Sequence, residues 1–402
     1  MTDRPRLAEM QQSPIIAMAT LARLPNAAIP ERINQMFAGP IDANLFMSQF
    51  QLFSIFGNRE FALDMQAKAL EMSTVYRIEG TARPAIRLLA LMTVGDATDN
   101  TPLDYLIEGS DIRLDLLYVM PDRPLPPVLP DHDVAIVAAG ESALPTLRAL
   151  EKLLDNWPRP VLNRPQAILN CARDSLWQRL DAIGGLVVPP THLIDRQRLA
   201  EVAKRASPVG ELFENCGYPI TARPKGSQSG KNLAKLENPE QLLAYLDDNE
   251  AEEFFVSLYI DYQSSDGHYR KARIALIAGV PYICHLAIGD DWIVHYNSAG
   301  MMDDAEKRAE EDTFMQHFDD DFARRHAAAL EQIAKRLELD YVVLDCAETG
   351  SGELLLFEAD NRGWVHATDP VDIFGYKQAP MKKVFDAFRA MLQRAMDDIT
   401  EE

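Results

Sequence analysis

Apolar and polar positions recur along this chain with two different periods. Through residues 1–77 apolar side chains return at the three- and four-residue spacing of helices, most clearly over 44–56 and 60–72. Gly57-Asn58-Arg59 joins those two segments, so the pattern predicts an αα-hairpin inside an all-helical N-terminal stretch. One such hairpin cannot bury its own face, so it docks on its own chain or on a protein partner. From Arg87 the period changes. Short apolar runs at 88–92, 113–119 and 133–138 read as strands, with helices over 101–108 and 144–156 and a Pro-rich surface loop over 121–130. Strand and helix alternate, which predicts an open, mostly parallel sheet. No GxGxxG follows its first strand, so the unit reads as a scaffold or acceptor-substrate domain, not a dinucleotide site. The stiff segment 157–165 marks a boundary.

Beyond it the pattern predicts a helix over 172–182, a strand over 218–223, a second over 233–236, a helix over 239–248 and a buried strand over 253–260. A strand over 273–278 is followed by paired strands over 285–295, an acidic helical stretch over 303–321 and an amphipathic helix over 322–337. Two apolar runs, 341–346 and 353–360, flank a Gly/Ser turn and predict a hairpin, and a last helix runs over 380–398. The fold class is therefore α/β, in three parts: a helical extension at 1–80, a Rossmann-like domain at 81–160, and a further domain at 161–402.

Composition narrows the partners. A formal net charge of −21 over 402 residues argues against nucleic acid or an anionic membrane, both of which need basic patches. The scattered cysteines Cys171, Cys216, Cys284 and Cys346 lack CxxC spacing and read as reduced packing residues of a cytoplasmic protein. No basic segment followed by an apolar run opens the sequence, so no secretory signal is expected, and no run is long enough to span a bilayer.

Two stretches carry candidate chemistry. In the late hairpin Glu358 and Asp360 share a strand face and Phe357 points the other way. A turn centred between Ser351 and Gly352 sets Asp345 opposite Glu358. Three carboxylates on one face repel unless a cation lies between them, and oxygen-only ligands suit Mg²⁺. A solvated edge hairpin is the plainer reading of this stretch by itself. The other stretch is the strand running into Pro224-Lys225-Gly226-Ser227-Gln228-Ser229-Gly230-Lys231. Three residues separate Gly226 from Gly230 and Asn232 follows Lys231, so this is not a Walker A loop. Its amides, with Arg223, Lys225 and Lys231, would still suit a polyphosphate; a polar hairpin turn fits equally well. Arg270 and Arg273 are an odd number apart and face opposite ways on a regular strand, so one of them reaches a ligand more readily than both.

Taken in order, these elements resemble the ATP-grasp superfamily, in particular carboxylate–amine ligases such as D-alanine–D-alanine ligase, glutathione synthetase and ribosomal-protein glutamate ligase. The N-terminal hairpin separately resembles one tetratricopeptide unit. The ATP-grasp resemblance covers roughly 162–390 and implies that the domain at 161–402 is two-lobed, with its small lobe at about 185–255 and its second lobe at about 256–390. It implies that YPITARP and KGSQSG form the first-lobe strand and phosphate loop, with Lys225, Gly226, Ser227, Gly230 and Lys231 over the phosphates. Arg223 and Arg173 stand where the family has lysines. EFFVSLYI resembles the adenine-reading hinge, with Ser257 where a Glu is frequent and Leu258, Tyr259 and Ile260 offering main-chain groups. Arg273 would reach the triphosphate. Asp345 and Glu358, thirteen residues apart, match the first two Mg²⁺ ligands, and Asp360 or Asn361 the third. Arg362 would hold a substrate carboxylate, and Trp292, His295, Trp364 and His366 would line an acceptor pocket, although packing roles suit those four better. The implied activity is ATP- and Mg²⁺-dependent joining of a small-molecule or peptide carboxylate to an amine. A phosphotransferase on the same fold stays open, as does a nucleotide-binding module that no longer turns over, because of the Arg-for-Lys departures. A homodimer, common among similar proteins, also stays open.

Overall fold

The computed structural model describes residues 6–10, 13–81, 83–204, 210, 212–213, 217–227 and 230–398. Gln228 and Ser229 of the glycine loop and Cys216 lie outside them.

The first unit is a six-stranded sheet in the order Pro14–Ile15, Val75–Ile78, Ile112–Tyr118, Ile86–Met92, Val134–Val137, Val161–Leu162. Every neighbouring pair is parallel except Val75–Ile78 against Ile112–Tyr118. Leu88, Leu89, Ala90 and Leu91 are all fully buried, which is why that strand reads as a continuous apolar run instead of an alternating one. The N-terminal stretch is not helical throughout. Strands Arg6–Ala8, Pro14–Ile15 and Val75–Ile78 interrupt it, each too short to leave a period. Arg6–Ala8 pairs with Val128–Pro130, so the end of the Pro-rich loop is a strand as well. The αα-hairpin is present as Ala43–Ile55 and Arg59–Met72, capped by Asp42 and Asn58 side chains and turned at Gly57 with φ +73°. Its Met47, Phe50, Met65 and Ala69 pack into the same core as Tyr76, Leu88 and Leu116. The hairpin therefore buries its apolar face on its own chain.

The small lobe is a four-stranded antiparallel sheet ordered Thr191–Asp195, Glu253–Leu258, Ile220–Pro224, Ala234–Leu236. Ile220, Ala222, Phe254 and Val256 point to helices Arg196–Ala203 and Pro239–Asp247 and form the lobe's core with Leu199 and Leu242. By alternation Thr221, Arg223, Phe255 and Ser257 lie on the other face.

The second lobe is a five-stranded sheet ordered Val280–Gly289, Tyr269–Ile277, Tyr341–Glu348, Leu354–Asp360, Leu186–Val187. Only the last pair is parallel. The terminal helix Gln378–Asp397 packs on one face through Phe388, edge-on to Tyr341 at 5.5 Å. Helices Ala305–His317 and Ala327–Leu337 join the core of the other face through Met315, Leu330 and Ile333, beside Ala272, Ile274 and Leu344. Two expected helices differ. The one over 172–182 is a single turn, Leu176–Arg179, and the chain reverses at Ala182 with φ +58°. The one over 322–337 breaks at His326, whose ψ of 12° leaves the helical region while its ring bonds Glu348 at 2.8 Å. The strands expected over 285–295 are a single strand that ends at Gly289. Among the described residues no helix is long and apolar enough to cross a membrane.

Candidate active site

Four neighbouring strands bring His285, Arg273, Asp345 and Glu358 into one cross-strand row. Near the turn the hairpin register would set Asp345 against Phe357. A bulge between Asp345 and Cys346 shifts it by one and brings Glu358 opposite. The expected pairing is therefore present, and it depends on an irregularity that the sequence does not announce.

Each carboxylate of the row already has a cation. Asp345, 5% exposed, accepts from Arg273 Nε at 2.8 Å, Arg273 Nη2 at 3.0 Å and Lys271 Nζ at 3.1 Å. Burial opposes its charge, yet Arg273 and Lys271 outweigh that and hold its carboxyl far below the usual range. Arg273 also donates through Nη1 to Trp364 O at 3.1 Å, so its guanidinium is committed on every side. Arg270, one face away, pairs with Asp266 and Glu310 instead, in keeping with the odd spacing. Glu358 accepts from Arg173, which lies in the turn before Leu176–Arg179 with its guanidinium 6.0 Å from the centre of the Phe255 ring. Asp360 holds Arg362 through Nε at 2.9 Å and Nη2 at 3.0 Å.

Arg362 reaches Glu141 at 2.8 Å and lies so close to Gly140 that a Cβ there would meet its Cδ at 2.1 Å. It ties the site strand to the N-terminal unit and is not free for a substrate carboxylate. Asn361 points the same way. It is fully buried and donates from Nδ2 to Ala139 O at 3.1 Å, while Thr101 Oγ1 donates to its main-chain oxygen at 3.0 Å. The structure thus places Asn361 in the domain joint, on the face away from Asp345 and Glu358.

The donors as folded do not fit a three-carboxylate Mg²⁺ cradle. Both oxygens of Asp345 and both of Asp360 hold N–H donors, and of the three acids only Glu358 keeps an oxygen, Oε1, without one among the described residues. No group of three or more His, Cys, Asp or Glu side chains among the described residues is arranged to hold a metal ion.

Across the cleft the small lobe presents the opposite situation. Arg223 donates to Ser227 Oγ at 3.1 Å and to Ser227 O, and no carboxylate pairs with it among the described residues. Burial, and then the nearby Arg173 guanidinium, pulls its pKa down to about 10 against the opposing pull of Glu358. Ser227 N–H closes the turn onto Pro224 O at 3.1 Å, and Gly226 takes φ +78°. Gly230, at φ +67°, sits so near the second lobe that a Cβ would lie 2.4 Å from His295 Nε2, a buried ring nitrogen with no partner among the described residues. Lys225 is drawn outward to Glu253 at 2.6 Å, and Lys231 is exposed.

In the hinge Ser257 Oγ bonds Thr191 Oγ1 at 2.7 Å. Leu258 N–H donates to Pro190 O and Tyr259 N–H to Pro219 O, at 3.2 and 3.3 Å, and half-buried Ile260 packs beside Tyr262 and Leu355. Trp292 meets Tyr259 edge-on at 5.7 Å. Trp364 leans on Tyr105 at 5.1 Å with its indole N–H buried and unpartnered among the described residues. Phe255 and Glu141 were not foreseen as site residues. The adjacent pair Phe254-Phe255 held the signal for the first, since one ring of such a pair must leave the core face.

No protein-family model matches the chain, and no curated protein does. Among solved structures it is similar to the D-alanine–D-alanine ligase from Bacillus anthracis complexed with ATP, at 12% identity and a TM-score of 0.46 over 78% of this chain and 99% of that one. It is also similar to a RimK domain protein ATP-grasp from Sphaerobacter thermophilus DSM 20745, at 18% identity and 0.42, over 75% and 99%. A third is the ATP-grasp ligase PsnB complexed with minimal precursor, Mg and ADP, at 10% and 0.42, over 76% and 98%. The likeness is distant, so the functional reading rests on the cleft's own geometry.

Proposed function

We propose that the protein is an ATP-dependent ligase that joins a carboxylate to an amine. The observation that carries this reading is Arg223, a half-buried guanidinium that no carboxylate pairs with among the described residues, beside Arg173 and under the glycine turn. A buried unpaired charge is costly, and an anion with several oxygens in the cleft removes the cost. Arg223 and Lys231 would hold the phosphates, Arg173 would add its charge beside them while paired to Glu358, and the glycine turn, already against His295, would exclude water. The amides of Leu258 and Tyr259 are engaged, so a base edge would use the Ile260 amide and hinge carbonyls.

In the proposed reaction a carboxylate oxygen of the substrate attacks the γ-phosphorus and ADP leaves, giving an acyl phosphate. The amine then attacks the acyl carbon, phosphate departs, and the amine loses a proton. The negative charge on the transferring phosphoryl oxygens is neutralised by the guanidinium pair, and alignment in the closed cleft does the rest. The Trp364 N–H, unpartnered among the described residues and beside Tyr105, offers a donor to an acceptor substrate. Mg²⁺ would supply Lewis-acid charge to the phosphates, but because the carboxylates do not fit it as folded, no step is assigned to it.

A second reading, nucleotide binding without turnover, is favoured by the saturation of Asp345 by Arg273 and Lys271. ADP release from ATP with a panel of amino acids and peptides separates the two. Release that depends on a carboxylate and an amine together, and is lost in Arg223→Ala, supports the ligase. Micromolar ATP binding with no release in any mixture supports the second reading.

A further inference from the structure

The central sheet has a second concavity on the face turned away from Asp345. It is a cavity of about 880 Å³, within the size range of small-molecule sites. Its floor is made by Ala272 and Leu286, cross-strand partners on that face. Its wall is a group of three phenylalanines, in which Phe318 and Phe322 stack at 5.7 Å and Phe314 meets Phe322 edge-on at 5.4 Å. Ala272, Leu286, Phe318 and Phe322 are each less than 5% exposed, so the cavity reaches the hydrophobic core.

The rim is charged and unbalanced. Arg270 is held by Asp266 and Glu310, and Arg325 by Asp321 and Glu348, so neither arginine is available to an anion. Asp320 also lines the cavity and has no side-chain partner among the described residues. Acids thus outnumber bases at the mouth, while the interior is aromatic and aliphatic.

We propose that this cavity binds an organic cation with an apolar body: a primary amine carrying an aromatic or branched hydrocarbon group, its ammonium at Asp320 and its body on the phenylalanines. The physical basis is twofold. The apolar floor rewards removal of hydrocarbon from water, and the surplus of carboxylates at the mouth selects the sign of the charged end. Aromatic faces also attract a cation directly. The site is independent of the nucleotide cleft, because Ala272 points to the face opposite Lys271 and Arg273.

The test uses tryptamine and indole-3-propionate, which share a ring and differ in the sign of the side-chain charge. Calorimetry on the full chain is expected to show tryptamine binding at least about tenfold tighter than the acid, a difference of about 1.4 kcal/mol. ATP at saturation is expected to leave that binding unchanged. Asp320 is exposed, so Asp320→Lys is expected to fold normally and to reverse the preference. Thr313 is an exposed lining position, and Thr313→Trp, which narrows the mouth, is expected to weaken both probes with no change in ATP affinity. Equal binding of the two probes, no binding of either, displacement of tryptamine by ATP, or indifference to Asp320→Lys would each overturn the proposal.

Discussion

The two walls of the cleft solve the problem of buried charge in opposite ways. On the central sheet every acid of the site is matched in place: Asp345 by Arg273 and Lys271, Glu358 by Arg173, Asp360 by Arg362. On the small lobe half-buried Arg223 has no paired carboxylate among the described residues, and the pull of Glu358 does not offset burial and the neighbouring Arg173. The first wall is electrostatically closed and gains rigidity. The second is open and gains affinity for whatever anion enters. The difference teaches that ion pairs count here less as stabilisers than as markers of which groups are already spent.

Breaking the closed wall should produce the largest effect. Arg273→Ala leaves Asp345 buried with only Lys271, and a stability loss of about 3–5 kcal/mol is expected, read as a lower denaturant midpoint. An unchanged midpoint would show that the row is not closed as described.

A remote acid sharpens the contrast. Asp104 is buried, accepts from Ala19 N–H at 2.9 Å, and has no cation among the described residues; burial pushes its pKa up to about 6 from 3.8. A carboxyl raised in this way favours the folded state while it is protonated, below its unfolded pKa. That advantage is lost as pH rises through about 6. Asp104→Asn should therefore stabilise the protein by about 3 kcal/mol at pH 7.5 relative to pH 4, where the gain vanishes. Thermal unfolding of both forms across that window checks it, and a gain independent of pH would count against a titrating Asp104.

The open wall should respond in binding and not in stability. Arg223→Ala is expected to weaken ATP about 30-fold, about 2 kcal/mol, with little change in unfolding. Chelation of divalent ions should change ATP affinity less than about threefold, since the carboxylates that would hold a metal are already paired. Fluorescence titration with and without EDTA measures both, and the reverse ranking would move the anion site from the small lobe to the hairpin.

How far the sequence carried can be judged residue by residue. The strands Glu253–Leu258 and Ile220–Pro224 were legible as short apolar runs, but that one face of their sheet is core and the other cleft shows only in the fold, where Ile220, Ala222, Phe254 and Val256 share the core. The opposition of Asp345 and Glu358 was legible only as an outcome, because a bulge with no composition cue sets it. The strands of the first 80 residues were not legible, since two to four residues carry no period. The assignments of Arg362 and Asn361 to ligands illustrate a more general limit. A strand pattern tells which face a side chain takes, but Glu141 and Ala139, brought in from more than 200 residues away, decide what meets it there.

The junction at Asp360 and Asn361 has a consequence for motion. Consecutive residues serve the cleft on one side and the seam with the N-terminal unit on the other, with no slack between them. An occupant that draws Asp360 off Arg362 would therefore shift that arginine's load onto Glu141 across the seam. A change in cleft chemistry would then be felt at that seam.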